Sequence, residues 1–291
     1  MKKFVYPALS DAAEKLSSDS QRFYLRLLRC EYGLLVVASI VSSTFYATGL
    51  LYAFSAFIFL VTLLVMIMRN WQKPEQDWYK GRALAESIKT SCWKYAMRAA
   101  PFGDEDDEAT TREEFQQHLR EIVSANRSIG HKIPPDGATE NQITECMEEI
   151  RAFGWSKRLE IYRTLRINDQ LKWYKDKAKE NKRKSKFWTV IAILVYLGAL
   201  VLSLTRITNP ELRILPVETL ILVASTIVGW TQIKKFNELA SSYTLTAHEI
   251  GLTFPPLKQV RTQEDLAKFV SEAEQAFSRE HTQWVARQAF Q

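Results

Sequence analysis

Two pairs of polar side chains lie within an apolar stretch in the last third of the chain. Residues 214–233 contain a single carboxylate, Glu218, followed by Thr219, and the hydroxyl residues Ser225 and Thr226 come seven positions after them. Because about seven residues complete two helical turns, each pair lies on one side of a helix. A carboxylate at the centre of a bilayer costs about 2.5–3.5 kcal/mol and therefore faces other helices or water. These four residues are candidate pore-lining residues. Close helix packing, and for Glu218 a place at the outer interface, are the alternatives.

Side chains typical of catalysis form no recognisable arrangement. The chain has no HExxH, P-loop, GxGxxG or GxSxG motif, and its four histidines are dispersed. The three cysteines, Cys30, Cys92 and Cys146, have neither metal-ligand nor redox spacing. We therefore expect a protein that is not an enzyme and that uses no cofactor and no metal.

Two long uncharged stretches predict membrane-spanning helices. Residues 32–68 contain no charged side chain, which is too long for one span of about 20 residues and suits two short spans. The turn between them is expected near Gly49, which permits a chain reversal. The predicted spans are residues 30–46 and 50–68 in a first hairpin and residues 187–205 and 214–233 in a second.

The polar remainder has the three-and-four apolar spacing of amphipathic helices and no sustained strand alternation. Further helices are predicted over residues 76–98, 111–126 and 139–153, and a last one after a capping box at Thr262 and Asp265. Residues 156–186 contain no Pro or Gly and are predicted to run straight into the third span, and residues 234–248 to continue the fourth. The expected fold class is an all-α membrane protein with two transmembrane hairpins, or four spans, and long cytosolic helices that form a bundle.

Basic residues flank the predicted hairpins on one side, and the net charge of the chain is +6. Lys and Arg are frequent before the first hairpin, after its second span, in residues 172–186 and at Lys234–Lys235, whereas the outer connection carries only Arg206 and Arg213. This bias predicts cytosolic termini. Basic side chains next to a span attract anionic lipid headgroups by about 1 kcal/mol each. Specific nucleic-acid binding is not expected, because the basic run adjoins a span and lacks a recognition motif.

Four segments resemble the SLATT families, the SMODS- and SLOG-associating two-transmembrane effector domains of prokaryotic conflict systems. Residues 162–177, YRTLRINDQLKWYKDK, and residues 278–287, SREHTQWVAR, are similar to one SLATT subtype. Residues 6–21, YPALSDAAEKLSSDSQ, and residues 78–102, WYKGRALAESIKTSCWKYAMRAAPF, are similar to a second subtype. The resemblance implies two fused SLATT modules, which we assign to residues 1–155 and 156–291.

The resemblance implies a membrane effector that harms its own cell when an antiviral defence system is triggered, by oligomeric pore formation or membrane disruption that leads to death or dormancy. It further implies the prokaryotic inner membrane, a homo-oligomer, and a trigger that is either a separately encoded sensor or a nucleotide second messenger. The family-signature residues, for which we expect roles in cytosolic helix packing, are Arg82, Glu86, Lys89, Trp93, Asp169, Gln170, Trp173, Tyr174, Arg279, Glu280, His281 and Trp284.

Two other functions remain open at this point. A constitutive channel or transporter would conduct without a trigger, although transporters usually have more spans and broken helices near the midplane. A non-conducting membrane scaffold would bind partners through its cytosolic helices and would cause no ion leak.

Overall fold

A computed structural model describes residues 3–42, 48–103, 107–139, 141–209, 212 and 216–289, with side chains as far as residue 277. The helices are α1 (Ala8–Ser42), α2 (Gly49–Gln72), α3 (Pro74–Ala96), α4 (Glu108–Ala125), α5 (Arg127–Gly130), α6 (Glu145–Ala152), α7 (Trp155–Tyr162), α8 (Asn168–Thr208), α9 (Val217–Lys234), α10 (Phe236–Leu252), α11 (Phe254–Leu257) and α12 (Gln263–Ala289). No strand occurs in the described ranges, which confirms the all-α prediction.

The long helix predicted from residue 156 is confirmed, with one irregularity. Helix α7 continues through a π-helical turn at Arg163–Ile167 into α8, so the backbone stays helical from Trp155 to Thr208. A π turn inserts one extra residue per turn and often marks a functional position in a helix. Arg166 lies within this turn.

Two predicted helix boundaries are wrong. The helix expected from residue 139 begins only at Glu145, because the Thr144 hydroxyl accepts the Met147 N–H at 3.3 Å and caps it there. The fourth predicted span does not continue unbroken past residue 234. Lys235 adopts a left-handed conformation with φ of 47° and its N–H bonds the Thr231 carbonyl, which closes α9. Lys73 ends α2 in the same way, with φ of 46°.

The chain divides into two compact units that do not follow its two halves in sequence. The head unit comprises Met1–Arg22, Pro74–Tyr174 and Thr246–Gln291. The hairpin unit comprises Phe23–Lys73 and Lys175–Leu245. Each unit therefore takes segments from both predicted modules. The module boundary between residues 155 and 156 stays a prediction.

Helix α3 is the centre of the head unit. It packs against α12, α6 and α4. The face predicted from its spacing, formed by Leu84, Ile88, Cys92 and Tyr95, is buried. The stripe of α12 that includes Leu266, Phe269, Ala273 and Phe277 is buried too. Burying such side chains stabilises a fold by about 1.5–3 kcal/mol for each large residue, so the α3–α12 contact joins residues 74–96 and 263–289 into one core.

Two buried arginines bind the segment that follows α3. Arg151 donates to the carbonyls of Tyr95 and Phe102 at 2.7 and 3.0 Å. Arg158 donates to the Met97 carbonyl at 3.0 Å. Since a guanidinium carries five donors in a fixed fork, it can satisfy several carbonyls that no helix pairs. Helices α6 and α7 thereby hold the end of α3 in place.

In the hairpin unit, α1 contacts both α2 and α9 in antiparallel fashion. Ser42 lies 3.2 Å from Ser55 of α2, and Arg69 of α2 pairs with Glu31 at 3.1 Å. Toward α9, the Ser39 hydroxyl lies 3.1 Å from that of Thr219. Small hydroxyl residues at these crossings let the helix backbones approach closely.

The second helical hairpin of this unit is closed at both ends by polar contacts. Ser185 of α8 bonds Asn237 of α10 at 2.6 Å, and Arg206 of α8 pairs with Glu218 of α9 at 2.7 Å.

Two described stretches, Gly49–Ala96 and Trp155–Thr208, are long and apolar enough to cross a membrane. They contain the second and third predicted spans. The described parts of the first and fourth predicted spans do not meet this test, and both spans stay predictions.

Gly81 brings α3 close to α1 within the head unit. A side-chain carbon at this position would lie 3.1 Å from the Ser17 nitrogen and 3.3 Å from its Cα atom. These are backbone atoms inside a helix, so they cannot move without displacing α1. Ser17 also donates to the Trp78 carbonyl at 3.1 Å across the same contact.

Replacing Gly81 with valine should separate these helices. We expect Gly81→Val to lower the free energy of unfolding by about 1–3 kcal/mol, the usual cost of overpacking, measured by thermal unfolding in detergent. Gly130→Val is the matched control, since no atom lies within 4 Å of a side-chain carbon there. Equal melting temperatures for the two variants would contradict the close α1–α3 contact.

Candidate functional site

A polar cleft of about 820 Å³ lies in the head unit between α1, α3 and the start of α8. It brings together seven of the predicted signature residues, although they come from two segments that are far apart in sequence. These seven lining residues are Arg82, Glu86, Lys89, Asp169, Gln170, Trp173 and Tyr174.

Charged side chains of both signs line this cleft. The Lys89 ammonium lies between the carboxylates of Glu14 and Glu86, in contact with the first and 3.6 Å from the second. The Arg82 guanidinium lies 5.8 Å from the centre of the Trp173 ring, within the range of a cation–π contact. Paired charges thus link α1 with α3, and the Arg82–Trp173 contact links α3 with α8. The packing role expected for the signature residues stays a prediction.

Trp93 is the one described signature residue that lies in the core rather than in the cleft. Its Nε1–H donates to the Tyr6 hydroxyl at 2.9 Å, and its ring stacks on Phe4 with centroids 4.1 Å apart. Tyr162 meets the same ring edge-on at 5.5 Å. Burial raises the pKa of Tyr6, so its hydroxyl stays neutral.

Behind the cleft, a buried ion pair joins α3, the π turn and α12. Arg166 donates to both oxygens of Glu274, at 2.8 Å from Nε and 2.7 Å from Nη2. The Tyr162 hydroxyl and the Thr90 hydroxyl donate to the same carboxylate, each at 3.0 Å. The exposed fractions of the two charged side chains are 3% and 0%. A buried carboxylate is tolerated only when its oxygens are satisfied in this way.

The electrostatics of this cluster keep it in one protonation state. Burial by itself would lower the pKa of Arg166, but the adjacent Glu274 carboxylate raises it well above its usual value. Burial, reinforced by the same carboxylate, raises the pKa of Tyr162. Burial also raises the pKa of Cys92, so its thiol is unreactive while the head unit is folded.

This cluster was not predicted from the sequence. Glu274 interrupts the apolar stripe of α12, four residues after Val270 and three before Phe277, and both of these side chains are buried. A carboxylate in such a position indicates a buried partner. The pattern does not say which cation supplies the charge.

The four candidate pore-lining residues of α9 occupy different environments in the hairpin unit. Glu218 forms two hydrogen bonds with Arg206, at 2.7 and 3.3 Å. Thr219 is buried against Ser39 of α1. Ser225 is exposed and Thr226 partly buried, and each hydroxyl donates to the carbonyl four residues earlier, at 2.9 Å.

Four signature residues lie near the end of α12. The side chains of Arg279, Glu280, His281 and Trp284 lie outside the described residues, although the backbone of α12 extends past them.

Comparison with protein families confirms the resemblance. Residues 7–159 match the family described as SMODS and SLOG-associating 2TM effector domain 3. Residues 162–284 match the family described as SMODS and SLOG-associating 2TM effector domain 1. The two matches follow each other along the chain. No curated protein and no solved structure matches this chain.

The buried pair makes a direct prediction about stability. Arg166→Met leaves the Glu274 charge without its partner, which costs about 3–5 kcal/mol in proteins. We expect the alkylation rate of Cys92 to rise more than about a hundredfold, in a background with Cys30→Ser and Cys146→Ser, because the thiol reacts only after the core opens.

The double variant Arg166→Met/Glu274→Leu is the control. It removes both charges, so it should alkylate more slowly than the single variant, although Thr90 and Tyr162 lose their acceptor. If the double variant is alkylated faster than Arg166→Met, the unpaired Glu274 charge is not the reason why the single variant loses stability.

Proposed function

Because the chain belongs to the family of SMODS- and SLOG-associating two-transmembrane effector domains, which is associated with prokaryotic conflict systems, we propose that it is a membrane effector of antiviral defence. It acts on the membrane without catalysing a reaction, through an oligomeric pore or a local disruption that leads to cell death or dormancy. The uncovered apolar surface of its two most hydrophobic helices carries this proposal.

That surface is unlike the core of a soluble protein. The most apolar windows of the stretches Gly49–Ala96 and Trp155–Thr208 have mean hydropathies of 2.6 and 2.4, yet only 11% and 6% of them are buried. Large side chains such as Phe57 and Leu194 are 60% and 61% exposed. Soluble monomers rarely expose contiguous apolar patches larger than a few hundred Å². A lipid environment accounts for this exposure.

Helices α1 and α9 complete four spans in the proposal. The carboxylates within the two predicted spans are paired, Glu31 with Arg69 and Glu218 with Arg206. Pairing removes much of the cost of placing these charges near a bilayer. Helix α9 has 18 residues and is about 27 Å long at 1.5 Å per residue, close to the thickness of the hydrocarbon core.

The orientation follows from the basic residues. Lys172 to Lys186 and the Lys234–Lys235 pair lie at one end of the second hairpin, whereas Arg206 at the other end is paired with Glu218. The bias supports a multi-pass protein of the prokaryotic inner membrane with both termini and the head unit in the cytosol.

A conducting state requires several copies in this proposal. One protomer contributes four helices, and Thr219 already contacts Ser39 inside it. The exposed faces of α2 and α8 are free to meet other copies or lipid. A sensor protein or a nucleotide second messenger would act through the head unit and trigger opening.

Two alternatives keep the same membrane fold. A constitutive channel would depolarise cells whether or not the defence system is triggered. A non-conducting scaffold would bind partners through the head unit and leave the membrane potential unchanged.

We expect cells that express the protein to depolarise when its defence system is triggered. A potential-sensitive dye measures this depolarisation. We expect Glu218→Leu to weaken the depolarisation several-fold, because it removes the carboxylate nearest the outer end of α9. The variant Ser242→Ala, expressed at the same level, is the control, since Ser242 lies on α10 and not on α9.

A double variant separates two roles of Glu218. If the carboxylate itself attracts ions, Arg206→Leu/Glu218→Leu stays as weak as Glu218→Leu. If Glu218 only neutralises Arg206, the double variant recovers. Wild-type depolarisation by Glu218→Leu would remove this residue from the pore.

The orientation predicts which positions react from outside the cell. With Cys30→Ser and Cys146→Ser, Asn209→Cys should react with a membrane-impermeant maleimide in intact cells, and Lys182→Cys should react only after lysis. Both positions are exposed in the structure. Labelling of Lys182→Cys in intact cells would overturn the assigned orientation.

A further inference from the structure

Two cations of the hairpin unit share one tryptophan ring. The Arg29 guanidinium of α1 lies 5.5 Å from the centre of the Trp230 ring, and the Lys234 ammonium of α9 lies 5.9 Å from it. Both distances are within the range of a cation–π contact. Among the described residues, neither cation forms an ion pair with a carboxylate.

The surroundings add positive charge. Among the described residues, the charges of Lys184 and Arg29 repel that of Lys234, and the charge of Glu180 attracts it. Glu180 already pairs with Lys177 at 2.8 Å and with Lys184 at 2.5 Å. This carboxylate therefore cannot neutralise Arg29 and Lys234 as well. Like charges brought together without a counter-ion repel one another. An anion bound beside Arg29 and Lys234 would therefore reduce this repulsion and stabilise the arrangement.

We propose that Arg29 and Lys234, which both lie over the Trp230 ring, bind the phosphate of one anionic glycerophospholipid from the cytosolic leaflet. A guanidinium offers a fork of donors that matches two phosphate oxygens, and an ammonium adds a point charge beside it. Trp230 places its ring at the depth where tryptophan concentrates in membranes, the boundary of headgroups and hydrocarbon.

The position favours a lipid over a free ion. Lys234 is the last residue of α9, and the predicted span ends at the residue before it. The exposed apolar side chains of α8, such as Phe187 and Val190, lie on the same unit and provide a surface for acyl chains. This inference rests on the proposed membrane insertion of α1 and α9.

The test counts lipids bound to the purified protein by native mass spectrometry during titration with phosphatidylglycerol or phosphatidylcholine. Arg29→Gln/Lys234→Gln should raise the midpoint for the first phosphatidylglycerol about thirtyfold, as expected for the loss of two basic contacts with an anionic headgroup. The midpoint of the charge-conserving variant Arg29→Lys/Lys234→Arg should stay within about threefold of the wild-type midpoint. This result would show that the site tolerates substitution as long as the charge is kept.

Lys172→Gln/Lys175→Gln is the matched control. It removes the same charge from exposed positions of α8 that lie at least twelve residues before the predicted third span, about 18 Å along the helix and beyond the reach of a screened surface charge. It should shift the midpoint less than about threefold. Equal losses in the two double variants would overturn the proposal, because binding would then follow net charge rather than one site.

Two further experiments distinguish a failure of the lipid site from a failure of the proposed membrane insertion. Inorganic phosphate at millimolar concentration should not displace the lipid; full displacement would assign the site to the free ion and overturn the lipid. Alkaline extraction of membranes should leave the wild type in the pellet. Release of wild-type protein would refute membrane insertion itself, whereas retention together with unchanged lipid midpoints would refute only the lipid site.

Discussion

A buried carboxylate, Glu274, holds the head unit together. It accepts hydrogen bonds from Arg166, Tyr162 and Thr90, and no solvent reaches it. Because an uncompensated charge is so unfavourable in a protein interior, every helix that supplies a donor must stay in place. Thr90 belongs to the first family match and the other three residues to the second. The Thr90 hydrogen bond thus connects the first match to an ion pair that lies within the second.

The hairpin unit is organised in the opposite way. Many of its large apolar side chains are exposed, and its helices meet through small polar contacts such as Ser39 with Thr219 and Ser42 with Ser55. Water penalises such an arrangement and lipid permits it, because burial of apolar surface between helices gains little when lipid is equally apolar. The head unit therefore depends on a buried, paired charge, whereas the hairpin unit depends on a lipid environment.

The sequence predicts much of this, for physical reasons that differ by residue. Uncharged runs, the apolar faces of α3 and α12 and the Thr262–Asp265 cap follow from composition and spacing. The family motifs anticipated that Arg82 and Trp173 would take part in packing. Neither the αL conformation of Lys235 nor the π turn at Arg166 can be predicted from the type of side chain, because lysine and arginine favour neither conformation. The partner of Glu274 depends on which helices meet, which spacing alone does not determine.

Ion flux from liposomes tests the central claim, that this chain acts directly on membranes. The purified protein is reconstituted at increasing protein-to-lipid ratios, and release of a trapped ion is followed with and without candidate nucleotides. The account predicts flux that rises more steeply than linearly with protein density, as an oligomer requires, and that increases with a trigger. Intact vesicles at every density and with every nucleotide, with the protein inserted in the bilayer, would contradict the effector mechanism and favour a scaffold.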